Sequence, residues 1–325
     1  MAGAGHEELK RVPRPIVIDC DPGQDDALAI LLALASPQEL EVLAVTAVAG
    51  NVPLALTQEN ARKVVELAGR RDLPVHAGAA RPLVRAPVTA EFVHGTTGLD
   101  GADLPAPTIP LAGLHAVDAL VELLRARPPG SVTLCPLGPL TNLALALHKA
   151  PDIAPRIREI VLMGGALGEG NITPSAEFNI YVDPHAAKVV FEAGVPLVMH
   201  GLDVTHQALV TPPRLAAIRA IGTPLSAAVA GLLEFYNRYD QTRRNRPGAP
   251  LHDPCPIAYL LRPDLFTGRD CHVAIETTGE HTLGRTVVDW SSRTGRTPNA
   301  KVITAIDADA FFALLTERLG RLPVT

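Results

Sequence analysis

The chain has 325 residues, 47% of them hydrophobic and 4% aromatic, with 29 basic side chains against 34 acidic ones. That composition excludes a disordered chain. A net charge of −5 with no basic block argues against nucleic acid as a partner, and so few aromatics leave no stacking platform for single strands. No apolar run is long enough to span a bilayer, and the N-terminus lacks the apolar core of a secretory signal. The four cysteines, Cys20, Cys135, Cys255 and Cys271, show no metal-binding spacing. They read as reduced thiols, so the expected location is the cytoplasm.

Residues 1–14 read as a flexible lead-in, and 15–325 as one domain. Residues 15–20 (PIVIDC) form an expected buried strand, and 25–36 (DDALAILLALAS) a helix that is apolar almost all round. A second strand is expected at 40–49, then an amphipathic helix at 55–68 stopped by Gly69. Further strands fit 74–77, 132–135, 159–163 and 196–200, and further helices fit 116–125, 140–149, 184–193 and 224–239. This alternation predicts an α/β fold with an open, mainly parallel, Rossmann-like sheet and helices on both faces. Such sheets bind ligands in loops at the carboxyl ends of their strands. The unusual sequences fall in that class of loop: 19–26, Gly50-Asn51, 136–142, 163–179 and 203–206. The Pro/Gly-rich stretch 78–110 reads as a long surface loop able to act as a lid.

The segment Asp19-Cys20-Asp21-Pro22-Gly23-Gln24-Asp25-Asp26 puts four carboxylates into eight residues. Asp19 and Asp21 end a buried strand, and Asp25 and Asp26 open the next helix, whose N-terminus favours anions. Two unit charges 4 Å apart still repel by about 4 kcal/mol at an effective dielectric near 20. Shared protons or a cation must neutralise them, and oxygen-only ligands suit Ca²⁺ or Mg²⁺ rather than zinc. N-capping with solvated acids would account for Asp25 or Asp26 alone, but not for Asp19 and Asp21. Mg²⁺-dependent phosphatases of the haloacid-dehalogenase type also carry Asp-x-Asp after the first strand. They continue with Thr or Val, where this chain has Pro22-Gly23.

The whole octapeptide resembles the opening signature of the nucleoside hydrolase family, inosine–uridine-preferring type. The resemblance continues in order through Val48-Ala49-Gly50-Asn51, His94-Gly95, Gly138-Pro139-Leu140-Thr141-Asn142, Met163-Gly164-Gly165, Gly170-Asn171, Glu177-Phe178-Asn179, Asp183-Pro184 and His252-Asp253-Pro254. It implies the nucleoside hydrolase fold, a tightly bound Ca²⁺, and hydrolysis of the N-glycosidic bond of ribonucleosides to ribose and free base. It also implies a homotetramer or homodimer. Two other functions compete with this one: a metal- and ribose-binding protein of this fold without turnover, and a Mg²⁺-dependent phosphatase.

By the same resemblance, Asp21, Asp26 and Asp253 are the carboxylate ligands of the ion, and the backbone carbonyl of Leu137 completes the protein shell. The nucleophile would be a water on the ion, with Asp21 taking its proton. Asp25 and Asn179 would bind the ribose 2′- and 3′-hydroxyls, Glu177 and Asn171 the 5′-hydroxyl, and Asn51 would add a sugar contact. His252 reads either as the catalytic acid facing the base or as the group orienting Asp253. His94 closes on the base from the lid, or is an ordinary loop histidine. Met163 and Phe178 read as walls of the site or as core. Tyr239, or Gln241, would touch the base from the aromatic and basic stretch 234–249, or that stretch is a solvated helix end. Asp19, Asn142, Asp203 and His206 read as supporting groups. The run 248–255 looks similar to pyrimidine-preferring members, which tilts the expected substrate toward pyrimidine nucleosides.

Overall fold

The computed structural model describes residues 12–243 and 246–323. Residues 1–11 of the expected lead-in and 244–245 of the expected basic stretch lie outside the described residues. The chain opens with β1 (Arg14–Cys20), α1 (Gln24–Leu34), β2 (Leu40–Ala47), α2 (Leu54–Leu67) and β3 (Val75–Ala77). A short α3 (Glu91–His94) interrupts the long loop. Next come α4 (Ala116–Ala126), β4 (Val132–Pro136), α5 (Thr141–Lys149), β5 (Ile157–Met163), α6 (Phe178–Val182), α7 (Pro184–Phe191) and β6 (Leu197–His200). The last third holds α8 (Leu202–Thr205), α9 (Pro212–Arg219), α10 (Pro224–Arg243), α11 (Pro254–Leu261), β7 (Phe266–Cys271), β8 (Val273–Ile275), β9 (Thr286–Val288), β10 (Ala300–Ile306) and α12 (Ala308–Leu319).

Eight strands form one sheet in the order β3-β2-β1-β4-β5-β6-β10-β7. Every pairing in it is parallel except the outermost, β10 with β7. The chain builds outward from β1 to β3, returns to the middle, and builds the other way from β4. The reversal opens a crevice beyond the carboxyl ends of β1 and β4, the place where such sheets bind ligands. The octapeptide leaves β1 at that crevice, and Leu137 leaves β4 beside it.

Helix α1 has all eleven of its residues buried. It packs against α2, α10, α11 and α12 over one face of the sheet. That is why its sequence has no polar stripe: a helix covered on every side needs none. The other face is covered by α4, α5 and α7, which share a second apolar core with Leu134, Ile160 and Leu162. The octapeptide is thus anchored between a buried strand and a buried helix, and neither can move without opening the core.

The structure differs from the sequence expectations at several ends. Strand β2 stops at Ala47 rather than at 49, because residues 48–51 turn away to reach the octapeptide. Helix α10 runs one turn beyond 239 to Arg243, since no Gly or Pro lies between 239 and 243. Strands β7 and β10 were not expected at all. β7 is an edge strand buried only at its two ends and carries Gly268, Arg269 and Asp270 between them, so it shows no apolar run.

Candidate active site

The octapeptide folds into a pinned turn. Gly23 caps α1, and Asp26 reaches back so that its Oδ2 accepts from Gly23 N at 2.9 Å and its Oδ1 from Asp21 N at 3.3 Å. Asp21 Oδ2 accepts from Asn51 N at 2.7 Å. Two glycine backbones embrace the same carboxylate. A Cβ on Gly50 would fall 2.1 Å from Asp21 Oδ2, and one on Gly138 would fall 2.2 Å from Asp21 Oδ1. No side chain fits at either position, so Val48-Ala49-Gly50-Asn51 and the loop after β4 are walls of the acidic cluster. Asp253 arrives from the N-terminus of α11.

Asp21, Asp25, Asp26 and Asp253 are all buried. Oxygens of Asp25, Asp26 and Asp253 lie within 4.8 Å of one another. Burial, and after it the charge of Asp26, pushes Asp25 up to about 7 and Asp21 well above the usual carboxylate range. Asp253 is raised by burial and then by Asp25, and Asp26 is raised by burial. Asp21 Oδ1 and Asp25 Oδ1 are buried without a hydrogen-bond partner. Buried carboxylates in this arrangement fit a hard cation held by oxygen, which would neutralise the repulsion and occupy the unmatched oxygens. The tightest trio contains Asp25, whereas the resemblance implied Asp21 in that place; Asp21 lies beneath it.

Asp19 is one layer further in. Its Oδ1 accepts from Thr46 Oγ1 at 2.5 Å and from Asn142 Nδ2 at 2.8 Å, while burial raises it to about 6. Asn142 also donates to Ala47 O at 3.1 Å and accepts from Ala79 N at 2.8 Å. It ties together the carboxyl ends of β1, β2 and β3 and does not reach the cleft.

Above the acidic cluster opens a cleft lined by both polar and aromatic side chains, the mix that small-molecule sites use. Its walls include Asp25, Asn51, His94, Leu137, Met163, Asn171, Glu177, Phe178, Asn179, Tyr239, His252 and Asp253. Every expected substrate-contacting residue therefore meets in one place, although they come from eight separate segments. Asp21 and Asp26 lie below the surface of this cleft, each 0% exposed.

The cleft's polar residues are already committed to one another. Asn51 Nδ2 donates to Asp21 O at 3.1 Å and to Asp26 Oδ2 at 3.3 Å, so this amide serves the acidic floor as well as the cleft. Asn179 Nδ2 donates to Leu137 O at 2.7 Å, leaving that carbonyl a second lone pair. Glu177 caps α6, accepting from Asn179 N at 2.9 Å and Gly165 N at 2.9 Å; burial nevertheless lifts it to about 7. Asn171 Oδ1 accepts from Phe178 N at 2.8 Å. Met163 lends its backbone O and its Sδ to Asn179, at 3.3 and 3.5 Å. Phe178 packs with Ala90 and Val182 in a small apolar cluster that joins the lid to α6.

The two histidines are held differently. His252 Nδ1 lies 2.7 Å from Thr205 Oγ1, and its ring is 5.8 Å from that of His206. His94 is buried, and burial alone takes it down to about 3, so it is neutral at physiological pH. Asp203 supports the opposite rim, accepting from Leu167 N at 2.6 Å and Gly168 N at 3.2 Å.

Sequence reasoning missed part of the wall. Tyr236 and Asp240 face the cleft from α10 beside the expected Tyr239. Tyr236 stacks on His94 with centroids 5.5 Å apart, and its hydroxyl donates to Asp25 Oδ2 at 3.4 Å. Phe92 joins from the lid, its ring 5.7 Å from that of Tyr239. The i, i+3, i+4 spacing of 236, 239 and 240 was the available signal. Gln241, the alternative to Tyr239, is exposed and does not line the cleft.

Comparison with known proteins agrees with this geometry. Residues 16–313 match the family model of the inosine-uridine preferring nucleoside hydrolases. The pyrimidine-specific ribonucleoside hydrolase RihA of Enterobacter sp. (strain 638) is 49% identical over 311 residues, which cover 95% of this chain and 99% of that protein. Among solved structures, the plant nucleoside hydrolase PpNRh1 aligns with a TM-score of 0.90 at 33% identity. A purine-preferring ribonucleoside hydrolase from Gardnerella vaginalis aligns with 0.89 at 32%. Each covers 95% of this chain and is itself covered to 99%. Sequence, fold and cleft thus converge: the chain belongs to the inosine-uridine preferring nucleoside hydrolase family and is a ribonucleoside hydrolase, cleaving the N-glycosidic bond to release the free base.

Proposed function

We propose that this hydrolase holds a Ca²⁺ through Asp21, Asp26, Asp253 and the Leu137 carbonyl, and that it prefers pyrimidine ribonucleosides. The observation that carries the metal reading is the buried set of carboxylates, with Asp21 Oδ1 and Asp25 Oδ1 unmatched. An oxygen-only shell that includes a backbone carbonyl suits Ca²⁺, which accepts six to eight such ligands in irregular geometry. When bound, the ion cancels the floor's charge and lowers the pKa of a water.

The chain's own residues do the rest. Asp21, clamped by Asn51 N and two glycines, takes the proton of the attacking water. Asp25 faces the cleft and, with Asn179, grips the ribose 2′- and 3′-hydroxyls; Tyr236 keeps the Asp25 carboxylate turned that way. Glu177 and Asn171 hold the 5′-hydroxyl. As positive charge grows on the sugar, His252 gives a proton to the departing base, its ring steadied by Thr205. Met163, Phe178 and Tyr239 supply apolar walls, and His94 closes on the base. The pyrimidine preference is supported by the 49% identity to a relative named as pyrimidine-specific. Four buried free thiols support a reducing, cytoplasmic setting. We take the enzyme to be a homotetramer or homodimer built from one domain per chain.

The test is a panel of uridine, cytidine, inosine and guanosine, with and without a chelator, identifying ribose and base. Pyrimidine nucleosides should turn over fastest, and chelation should abolish turnover until Ca²⁺ is restored. A strict requirement for phosphate would indicate a phosphorylase and sink the reading. Calorimetric Ca²⁺ titration of D21N and D25N separates the two candidate ligands: D21N should lose the larger part of the affinity.

A further inference from the structure

Gln24 is a buried polar side chain of the octapeptide that neither the metal nor the sugar uses. It is 0% exposed in the first turn of α1. Its Nε2 donates to His94 O at 3.0 Å and to Asp100 O at 3.1 Å. Its Oε1 lies 2.8 Å from His94 Nδ1. The amide cannot be turned round, because that would aim Oε1 at two carbonyl oxygens and leave three acceptors without a hydrogen between them. With Nε2 as the donor, Oε1 accepts, so the proton between Gln24 and His94 belongs to Nδ1. Gly23 makes the approach possible: a Cβ there would lie 2.3 Å from His94 Nδ1.

The geometry points to Gln24 as the residue that fixes His94 in its Nδ1–H tautomer, so that the lid histidine offers the nucleoside a lone pair at Nε2 rather than a proton. This inference rests on the nucleoside cleft described above. A neutral ring with Nδ1–H bound and Nε2 bare accepts hydrogen bonds and donates none to the ligand. His94 is then a reader of donors, while any proton delivered to the base comes from elsewhere. The ligand group it reads is a base N–H, such as N3–H of uracil or the amino group of cytosine. A ribose hydroxyl offers the same donor chemistry. Gln24 also ties the lid's backbone at 94 and 100 to the helix that carries Asp25 and Asp26. Lid position and histidine tautomer are thus set by one amide.

The direct test is a long-range ¹H–¹⁵N spectrum of ¹⁵N-histidine-labelled full-length protein with Ca²⁺, His94 being assigned by its absence in H94N. The expected spectrum has Nδ1 protonated and Nε2 bare; a protonated Nε2 overturns the proposal. In Q24M the His94 signals should move to the other tautomer or average between the two. A His94 still fixed as Nδ1–H in folded Q24M removes Gln24 from the role. Kinetics then identify the donor. Wild type should lose about tenfold to a hundredfold in kcat/KM from uridine to 3-methyluridine, and Q24M only about threefold. If Q24M instead relaxes discrimination against 5′-deoxyuridine, the donor is a ribose hydroxyl and the base assignment falls. Failure to hydrolyse any nucleoside would sink the reading of the cleft, yet the tautomer would still be measured.

Discussion

The floor of the cleft and its wall are built on different principles. The floor is charged, buried and held by backbone: Asp21 and Asp26 are 0% exposed, gripped by the N–H groups of Asn51, Gly23 and Asp21 and by the close backbones of Gly50 and Gly138. The wall is aromatic and held by side chains: Phe92 on Tyr239, and His94 on Tyr236. The floor has little freedom to rearrange, whereas the wall can repack. The difference suggests how this fold can accept different bases while keeping one chemistry: selectivity is placed where change is cheap.

The comparison makes graded demands. At the floor, Asp21→Asn should lower kcat by about 10²–10⁴-fold with the fold intact, the scale of a lost general base. A near-normal rate would remove Asp21 from catalysis. Next comes Gly138→Ala, which puts a methyl where Asp21 Oδ1 stands. Displacing a catalytic group by about 1 Å can cost about 10²-fold, so kcat should fall steeply while KM for uridine changes little. A tolerated alanine would mean that the floor is softer than its packing implies.

The wall should respond differently. Tyr239→Ala removes an aromatic pair worth about 0.5–1.5 kcal/mol beyond its buried area. KM should rise roughly three- to tenfold on that scale, with kcat nearly unchanged, and the ranking of bases should shift. A kcat loss as large as that of Asp21→Asn would erase the distinction between floor and wall.

The smallest effect is a control remote from both regions. Arg318 on α12 donates to Glu39 at 2.7 and 3.0 Å and holds its carboxyl below the usual range. A depressed folded-state value adds stability above the unfolded value of 4.5, and that stability is lost as pH falls through the folded value. The Glu39 side chain is 39% exposed and so partly screened by solvent, and Glu39→Gln should cost at most about 1 kcal/mol near pH 7. The gap in melting temperature from wild type should narrow below pH 4.5, with activity unchanged.

Much of the floor is legible in the amino-acid sequence. Asp19 to Asp26 are contiguous, and four acids leaving an apolar strand for an apolar helix demand a neutralising partner whatever the fold. The parallel sheet can likewise be read from strand and helix alternation, since strands buried on both faces are apolar throughout. The edge strand β7 escapes notice for the complementary reason: its exposed positions carry polar residues. Thr205, Tyr236 and Gln24 escape because a hydroxyl, a phenol and an amide gain a role only from what they touch, and their partners His252, Asp25 and His94 lie 47, 211 and 70 residues away.

The sequence by itself determined the class of sheet, the acidic octapeptide and the set of polar residues, since these depend on local periodicity and on charge that must be neutralised. Only the tertiary structure decided which carboxylates converge, how closely Gly50 and Gly138 approach Asp21, and that His94 Nδ1 meets the Gln24 amide. Those facts depend on differences of a few tenths of an ångström in the distances between segments far apart in the chain. Packing sets such distances, and no local pattern encodes them.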